Sequence, residues 1–454
     1  MSLILKTQAS IQEAIDDAKT GRRHLKYPSL ILINGYSLWH QNMCSDENVN
    51  VILDLMQELL SAMHPDDFYS SIEIWDFTLK NLGELIELVL RHGGKKDTDG
   101  NNTPPGVQSL HLKLHHPRSH MALGHLGRAL RDNTTILSLE LLVALPSPRQ
   151  RNEDDLANWE EFIAGLQANT SLQKIQVPSL PSRVHLEDVS KALFTQAAPA
   201  LTTDDSEPTE NARKKTNLKI LEMGLLDTLK STVGPGPLTS RLRTATGLQE
   251  LNLFGYDLDR QDMLHLAELL STTTTVADGS KTTSSMLNSL KIRNFSFDEA
   301  AVMAFVEKIP QFGPSFCSLY MLSVPGFNAT IHRAFLEGLR DTPERQGNAF
   351  LNCLSIGVPA DQNVHDQLEF YTKTLNQSGC RPLLRESKWF AALQKVMFQE
   401  NILISASAIY YVLRYCPGEW ANVSSSEEEE EEEEEGSSTA SSSRKRARFS
   451  KRLV

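Results

Sequence analysis

Cysteine is scarce and scattered. The five residues, Cys44, Cys317, Cys353, Cys380 and Cys416, are odd in number and form no C-x-x-C pair. That excludes a disulfide framework and a zinc–cysteine site as organising devices, and it points to a reducing compartment. Long apolar runs are missing too. Nowhere do about 18 apolar residues follow one another, so no membrane span is expected. The first stretch, MSLILKTQASIQEAIDDAKTG, has too short an apolar run, followed by acidic residues, to read as a signal peptide. The expected location is therefore the nucleus or the cytoplasm and not a secretory route. Phosphate-cradling glycine motifs and the nucleophile-elbow context are absent. So is a cationic excess: the formal net charge of −12 argues against the folded body as a nucleic-acid binder.

What the chain does have is a recurring aliphatic triplet. Gly247 to Leu270, GLQELNLFGYDLDRQDMLHLAELL, shows the whole unit. Leu248, Leu251 and Leu253 follow L-x-x-L-x-L, turn and N-cap residues come next, and Met263, Leu266, Leu269 and Leu270 recur at helical spacing. Further copies begin at Val107, Ile136, Leu172, Leu218, Leu287, Phe316 and Leu351, with fainter ones at Tyr27 and Tyr69. From Leu110 through Leu139, Ile175, Leu221, Leu251, Leu290 and Leu319 to Leu354, the central positions step by 29, 36, 46, 30, 39, 29 and 35 residues. Each step has room for a short strand and a full helix, and the longer ones carry loop insertions.

This pattern resembles the ribonuclease-inhibitor-like leucine-rich repeats, and the likeness covers roughly Tyr27 to Gly379. Asn133-Thr134-Thr135-Ile136 and Asn169-Thr170-Ser171-Leu172 look like that family's helix-to-strand turn. The resemblance implies an α/β solenoid bent into a horseshoe, with a parallel sheet on the concave face and helices on the convex face. The family often places Asn or Cys three residues after the last strand leucine. Here those positions hold Phe77, Ala144, Leu180, Leu226, Tyr256, Phe295, Val324 and Pro359, so no polar ladder runs through these turns.

Four segments are expected: a helical lead-in over 1–26, the repeat solenoid over 27–379, a helical cap over 380–423, and a disordered acidic-then-basic tail over 424–454. Helices are expected at Ser10 to Thr20, Asn48 to Met63, Phe77 to Arg91, Ala122 to Leu130, Leu156 to Leu166, Asp298 to Glu307, Thr330 to Leu339 and Asn363 to Leu375. Polar insertions run from Pro199 to Thr216, Ser231 to Ser240 and Ser271 to Ser285. The tail has almost nothing apolar and cannot offset the entropy of ordering. Ser424, Ser425 and Ser426 each have Glu three residues on, a pattern that suits acidophilic kinases. Arg444, Lys445, Arg446, Arg448, Lys451 and Arg452 form a compact cationic cluster of the nuclear-import kind. The order repeats, acidic run, basic end resembles the layout of the acidic nuclear leucine-rich phosphoproteins.

No metal, cofactor or catalytic set is expected. His111, His115, His116, His120 and His125 lie close in sequence, but a metal site needs converging ligands and their support, and a solvated strand end is the simpler reading. The Asn-x-Ser/Thr sequons at Asn133 and Asn169 coincide with the repeat turns. Alternation leaves one row facing outward at the strand centres: Glu73, His111, Glu140, Gln176, Glu222, Asn252, Lys291, Tyr320 and Ser355, flanked by Trp75, Phe254, Arg293 and Leu322. Exposed aromatics and arginine anchor interfaces, so Trp75, His111, Glu140, Glu222, Phe254, Lys291, Arg293 and Tyr320 are the candidate partner-binding residues.

The expectation is a monomeric, non-enzymatic scaffold that binds a partner protein on the concave face. The tail would engage an import receptor or basic proteins. Two other readings stand beside it: a GTPase activator, since one family of these joins such repeats to an acidic tail, and a histone-binding or chaperone-like protein acting through the Glu run.

Overall fold

A computed structural model describes residues 2–5, 8–20, 29–33, 46–62, 70–75, 82–91, 106–114, 121–143, 153–180, 183–194, 217–225, 242, 247–271, 286–323, 326–341, 345–379, 381 and 392. The chain divides into two compact units, Met1–Leu368 and Glu369–Val454.

The first unit is a parallel sheet interleaved with helices. Its strands are β1 (Ser2–Leu5), β2 (Ser29–Ile33), β3 (Ser71–Trp75), β4 (Ser109–Leu114), β5 (Ser138–Val143), β6 (Lys174–Leu180), β7 (Ile220–Leu225), β8 (Glu250–Phe254), β9 (Asp257–Leu258), β10 (Ser289–Phe297), β11 (Ser318–Ser323) and β12 (Cys353–Ser355). They pair in sequence order, apart from the two-residue β9, which pairs only with the far end of β10. Every strand pairing is parallel.

Parallel neighbours cannot be joined by a hairpin and need a crossover. Here helices fill most of the crossovers: α1 (Gln8–Thr20), α2 (Asp46–Ala62), α3 (Leu82–Arg91), α4 (Ala122–Asp132), α5 (Glu153–Ala168), α6 (Arg183–Phe194), α7 (Arg260–Leu270), α8 (Glu299–Val306) and α9 (Ala329–Leu339), with α10 (Gln362–Glu369) following β12. Crossovers of one hand between strands laid down in one direction would set the helices on one side of the sheet. Consistent with that, each of α1 to α5 packs on the helix after it, and α7, α8 and α9 pack in series.

The aliphatic triplets set the register. Leu30, Ile72, Leu110, Leu139, Ile175, Leu221, Leu251, Leu290, Leu319 and Leu354 pair strand to strand without a slip. All but the half-buried Leu354 lie in the core. A slip of one residue would turn this whole column to the other face, so burial fixes the pairing.

Local chemistry explains the ends of the units. Asp259 caps α7 by accepting from Asp262 N at 2.8 Å, and Asn328 caps α9 by accepting from Ile331 N at 2.9 Å. The expected Asn turns are present. Asn133 Oδ1 accepts from the Thr135 and Ile136 amides, and Asn169 Oδ1 from those of Ser171 and Leu172. Asn169 Nδ2 donates to Leu130 O and Asn133 O, so each turn is tied to the one before it. Asn348 repeats the device, with Oδ1 accepting from Phe350 and Leu351 amides and Nδ2 donating to Ile309 O. At the other end of the strands, where the ribonuclease-inhibitor-like repeats often carry Asn or Cys, Leu180, Tyr256 and Phe295 are buried. An apolar column replaces a polar one there.

Several expectations need correcting. The segment 1–26 holds strand β1 as well as a helix, and β1 pairs with β2 from Ser2↔Ser29 to Leu5↔Leu32. Helix α6 lies where none was expected; Leu186, Val189 and Leu193 form its buried stripe. Asn363 to Leu375 is not one regular helix but α10 followed by a π-helical stretch, Phe370–Asn376. The insertions 199–216 and 231–240 and residues 272–285 lie outside the described residues.

In the second unit the π-helical stretch surrounds a buried arginine. Arg381 Nη1 donates to Asn376 Oδ1 at 2.9 Å, and its guanidinium sits 5.2 Å from the Tyr371 ring centroid. Of the expected cap over 380–423, only Arg381 and Ala392 are described.

Candidate functional site

The face of the sheet turned away from the aliphatic core carries the outward row in register. Glu73 stands beside His111, then Glu140, Gln176, Glu222, Asn252, Lys291, Tyr320 and Ser355. Two residues further along, Trp75 stands beside Lys113, and Arg293 stands between Phe254 and Leu322. Parallel neighbours are about 4.8 Å apart, so each side chain reaches the next strand. The described residues divide this face into two clusters.

The first cluster lies on β3, β4 and β5. Lys113 Nζ donates to Glu73 Oε1 at 2.6 Å and sits 4.6 Å from the Trp75 ring centroid. Burial by itself pushes the Glu73 carboxyl up. The hydrogen bond from Lys113, the nearby Trp75 indole, and the charges of Lys113 and His111 outweigh it, and the carboxyl ends below its usual range. By distance the indole Nε1 meets no acceptor, so its effect is that of an oriented dipole and not of a formed bond.

Beside this pair, His111 Nδ1 and Glu140 Oε2 are 2.7 Å apart, and Ser109 Oγ and His111 Nε2 are also 2.7 Å apart. The carboxylate only accepts, so Nδ1 carries the proton. Serine, imidazole and carboxylate therefore stand in the order of a nucleophilic relay. The amides of Gln108 and Ser109 both donate to Ser70 O at 2.9 Å and give no oxyanion donors.

The second cluster is centred on Glu222. Oε2 accepts from Gln176 Nε2 at 2.9 Å and from Asn252 Nδ2 at 3.3 Å, and Oε1 accepts from Arg293 Nη2 at 3.3 Å. The Arg293 guanidinium lies 5.9 Å from the Phe254 ring centroid. A left-handed residue follows β8 and another lies within β10. Gly255 has φ 74°, where a Cβ would meet Leu225 O at 2.7 Å, and Asn294 has φ 51° at a bulge in β10. The ladder between β8 and β10 stops at Phe254 and Arg293, and past the bulge β10 pairs on with Ser323 of β11 and with β9. Lys291 and Tyr320 have no hydrogen-bond or ion-pair partner among the described residues.

All eight sequence-derived residues, Trp75, His111, Glu140, Glu222, Phe254, Lys291, Arg293 and Tyr320, thus stand on one face, but in two groups. Ser109, Lys113, Gln176 and Asn252 complete the groups. Their signal in the sequence is position: each is outward by the same alternation.

The two described histidines of the sequence cluster do not converge. His111 is on the strand face, whereas His125 is on α4 and pairs with Glu87 of α3 at 2.8 Å. His115, His116 and His120 lie outside the described residues. Among the described residues no group of three or more His, Cys, Asp or Glu side chains could hold a metal ion, and no helix is long and apolar enough to cross a membrane. Ser424, Ser425, Ser426, Arg444, Lys445, Arg446, Arg448, Lys451 and Arg452 lie outside the described residues. No protein-family model matches the chain, and no curated protein matches its sequence.

Proposed function

We propose that this chain is a leucine-rich-repeat solenoid of the ribonuclease-inhibitor-like kind that works as a monomeric, non-enzymatic scaffold and binds a partner protein on its strand face. The observation that carries this reading is the unbroken outward row from Glu73 to Ser355, held in register by the buried column behind it. Rigid strands present aromatic and arginine side chains at fixed spacing, as a binding face needs. The Ser109 amide and its neighbour are spent within the sheet, which favours recognition over acyl transfer.

The test is site-specific photo-cross-linking in cells, with a benzophenone side chain at Leu142 or Leu322 on the strand face and at Arg128 or Glu160 on the helix layer. Adducts to one protein from the strand positions alone support the reading. Adducts from the helix positions alone, or none from the strand face, overturn it. The basic cluster at 444–452 supports a nuclear location for this scaffold. Its alanine variant is expected to shift a fluorescent fusion toward the cytoplasm, and an unchanged distribution counts against import.

A further inference from the structure

We propose that the strand face from β8 to β11 takes an acidic, apolar-flanked peptide segment of the partner, with the partner's carboxylate on Lys291. This rests on the strand-face reading above and specifies its chemistry.

Charge on the face is spent unevenly. In the first cluster Lys113 is paired with Glu73, and His111 with Glu140. In the second, Arg293 is paired with Glu222. Lys291 has no counter-ion among the described residues, and from β10 to β12 the outward side chains include no carboxylate: they are Ser289, Lys291, Arg293, Ser318, Tyr320, Leu322, Cys353 and Ser355. Glu250 on the neighbouring strand is a carboxylate without an ion-pair partner among the described residues. It stands two residues before Asn252 on β8, opposite Ser289, and disfavours an anion at that edge. An incoming carboxylate is therefore directed to the β10–β11 side of Lys291.

Unmet polar atoms point the same way. Asn252 is 7% exposed, yet its Oδ1 has no partner among the described residues, although its Nδ2 is bound to Glu222. Arg293 Nε is likewise buried without an acceptor. A peptide beside the free ammonium offers an N–H and a C=O of matching chemistry, which these two atoms take only once their side chains turn outward, since neither has accessible surface as the face stands. Phe254, Tyr320 and Leu322, the last 41% exposed, give the apolar contact that a purely anionic ligand would not use.

The probe is a fluorescein-labelled octapeptide of alternating Glu and Leu, titrated with the full-length chain by fluorescence anisotropy at low and physiological salt. Its Gln-for-Glu analogue is expected to bind at least tenfold more weakly. Lys291→Ala is expected to weaken the Glu peptide about tenfold, whereas Lys191→Ala, exposed on helix α6, changes it less than twofold. Lys291→Glu should abolish Glu-peptide binding and improve binding of the Lys-for-Glu analogue. Equal binding of the Glu and Gln peptides, insensitivity to Lys291→Ala, or displacement by a single-stranded oligonucleotide in preference to the Gln analogue overturns the proposal. Strand-face cross-links at Leu142 or Leu322 combined with a peptide that shows no charge preference would sink this inference and leave the scaffold reading standing. Absent strand-face cross-links would sink both, because the inference needs the strand face to be the binding face.

Discussion

Arg293 on β10 reaches past β8 to Glu222 on β7, Nη2 to Oε1 at 3.3 Å, so one ion pair ties three strands, with Asn252 of the middle strand donating to the same carboxylate. The two partners are unequal: the Glu222 side chain is 15% exposed and that of Arg293 40%. Removing the acceptor leaves three donors unmet, one of them on buried Asn252. Glu222→Ala is expected to cost about 1–3 kcal/mol, and Arg293→Ala about 0–1 kcal/mol, as for a solvated pair. Glu222→Gln falls between, because its amide turns one acceptor into a donor facing a donor. Urea unfolding of the three variants checks the order; an equal loss for Arg293→Ala and Glu222→Ala would show that the hub is not Glu222.

Glu73 makes the stability of the first cluster depend on pH. Its carboxyl lies below the usual range because the Lys113 bond and the charges of Lys113 and His111 together outweigh burial. A carboxyl depressed on folding contributes stability that is fully present above the unfolded glutamate pKa, about 4.3, and is lost as pH falls through the lower native value. Lys113→Ala is expected to raise the Glu73 titration midpoint and to flatten the acid limb of stability against pH. Carbon-detected titration of the Glu73 carboxyl and urea midpoints from pH 2 to 7 read both. An unmoved midpoint in Lys113→Ala would contradict the assigned cause.

Helices α4 and α5 meet where neither has a side chain. A Cβ on Gly165 would lie 2.1 Å from Gly127 O, and one on Gly127 would lie 2.2 Å from Glu161 O. Alanine favours a helix over glycine by about 1 kcal/mol, but here it has to push two backbones apart, at about 1–3 kcal/mol. Gly165→Ala is therefore expected to lower stability. Gly326→Ala meets nothing within 4 Å and is expected to be neutral or to stabilise by about 0.4–1 kcal/mol. Thermal unfolding of the two variants gives the contrast. A stabilised Gly165→Ala would mean that the helices sit further apart.

The column of strand leucines was legible because a period of two, repeated at intervals wide enough for a helix, has few physical meanings. Once the inward positions are known the outward row follows, so Glu73 through Ser355 could be written from the sequence. The pairings among them could not. Whether Lys113 reaches Glu73, or Arg293 passes Asn252 to find Glu222, depends on rotamers and on the αL kinks at Gly255 and Asn294. Strand β1 was missed because Leu3 and Leu5 lack the first aliphatic residue of the triplet. Helix α6 was missed because Leu186, Val189 and Leu193 are interleaved with His185, Glu187, Asp188, Ser190 and Lys191. The Asn348 turn was readable in principle, since Asn348-x-x-Leu351 repeats Asn133-x-x-Ile136 and Asn169-x-x-Leu172.

Tyr256 occupies the turn position that the resembling repeats often give to Asn or Cys. It is 1% exposed and its hydroxyl has no partner among the described residues. Burial pushes the phenol far up, so it stays neutral at any working pH. A buried hydroxyl without a bond carries a desolvation cost of about 1–3 kcal/mol, and removing it while keeping the ring relieves that cost. Tyr256→Phe is therefore expected to leave stability unchanged or raise it, while Tyr256→Ala, which empties the column between Leu180 and Phe295, is expected to lose about 3–5 kcal/mol. Urea unfolding separates the two. A loss above about 1 kcal/mol in Tyr256→Phe would show that the hydroxyl is bonded, by a water or by a residue outside those described, and that the turn column is polar after all.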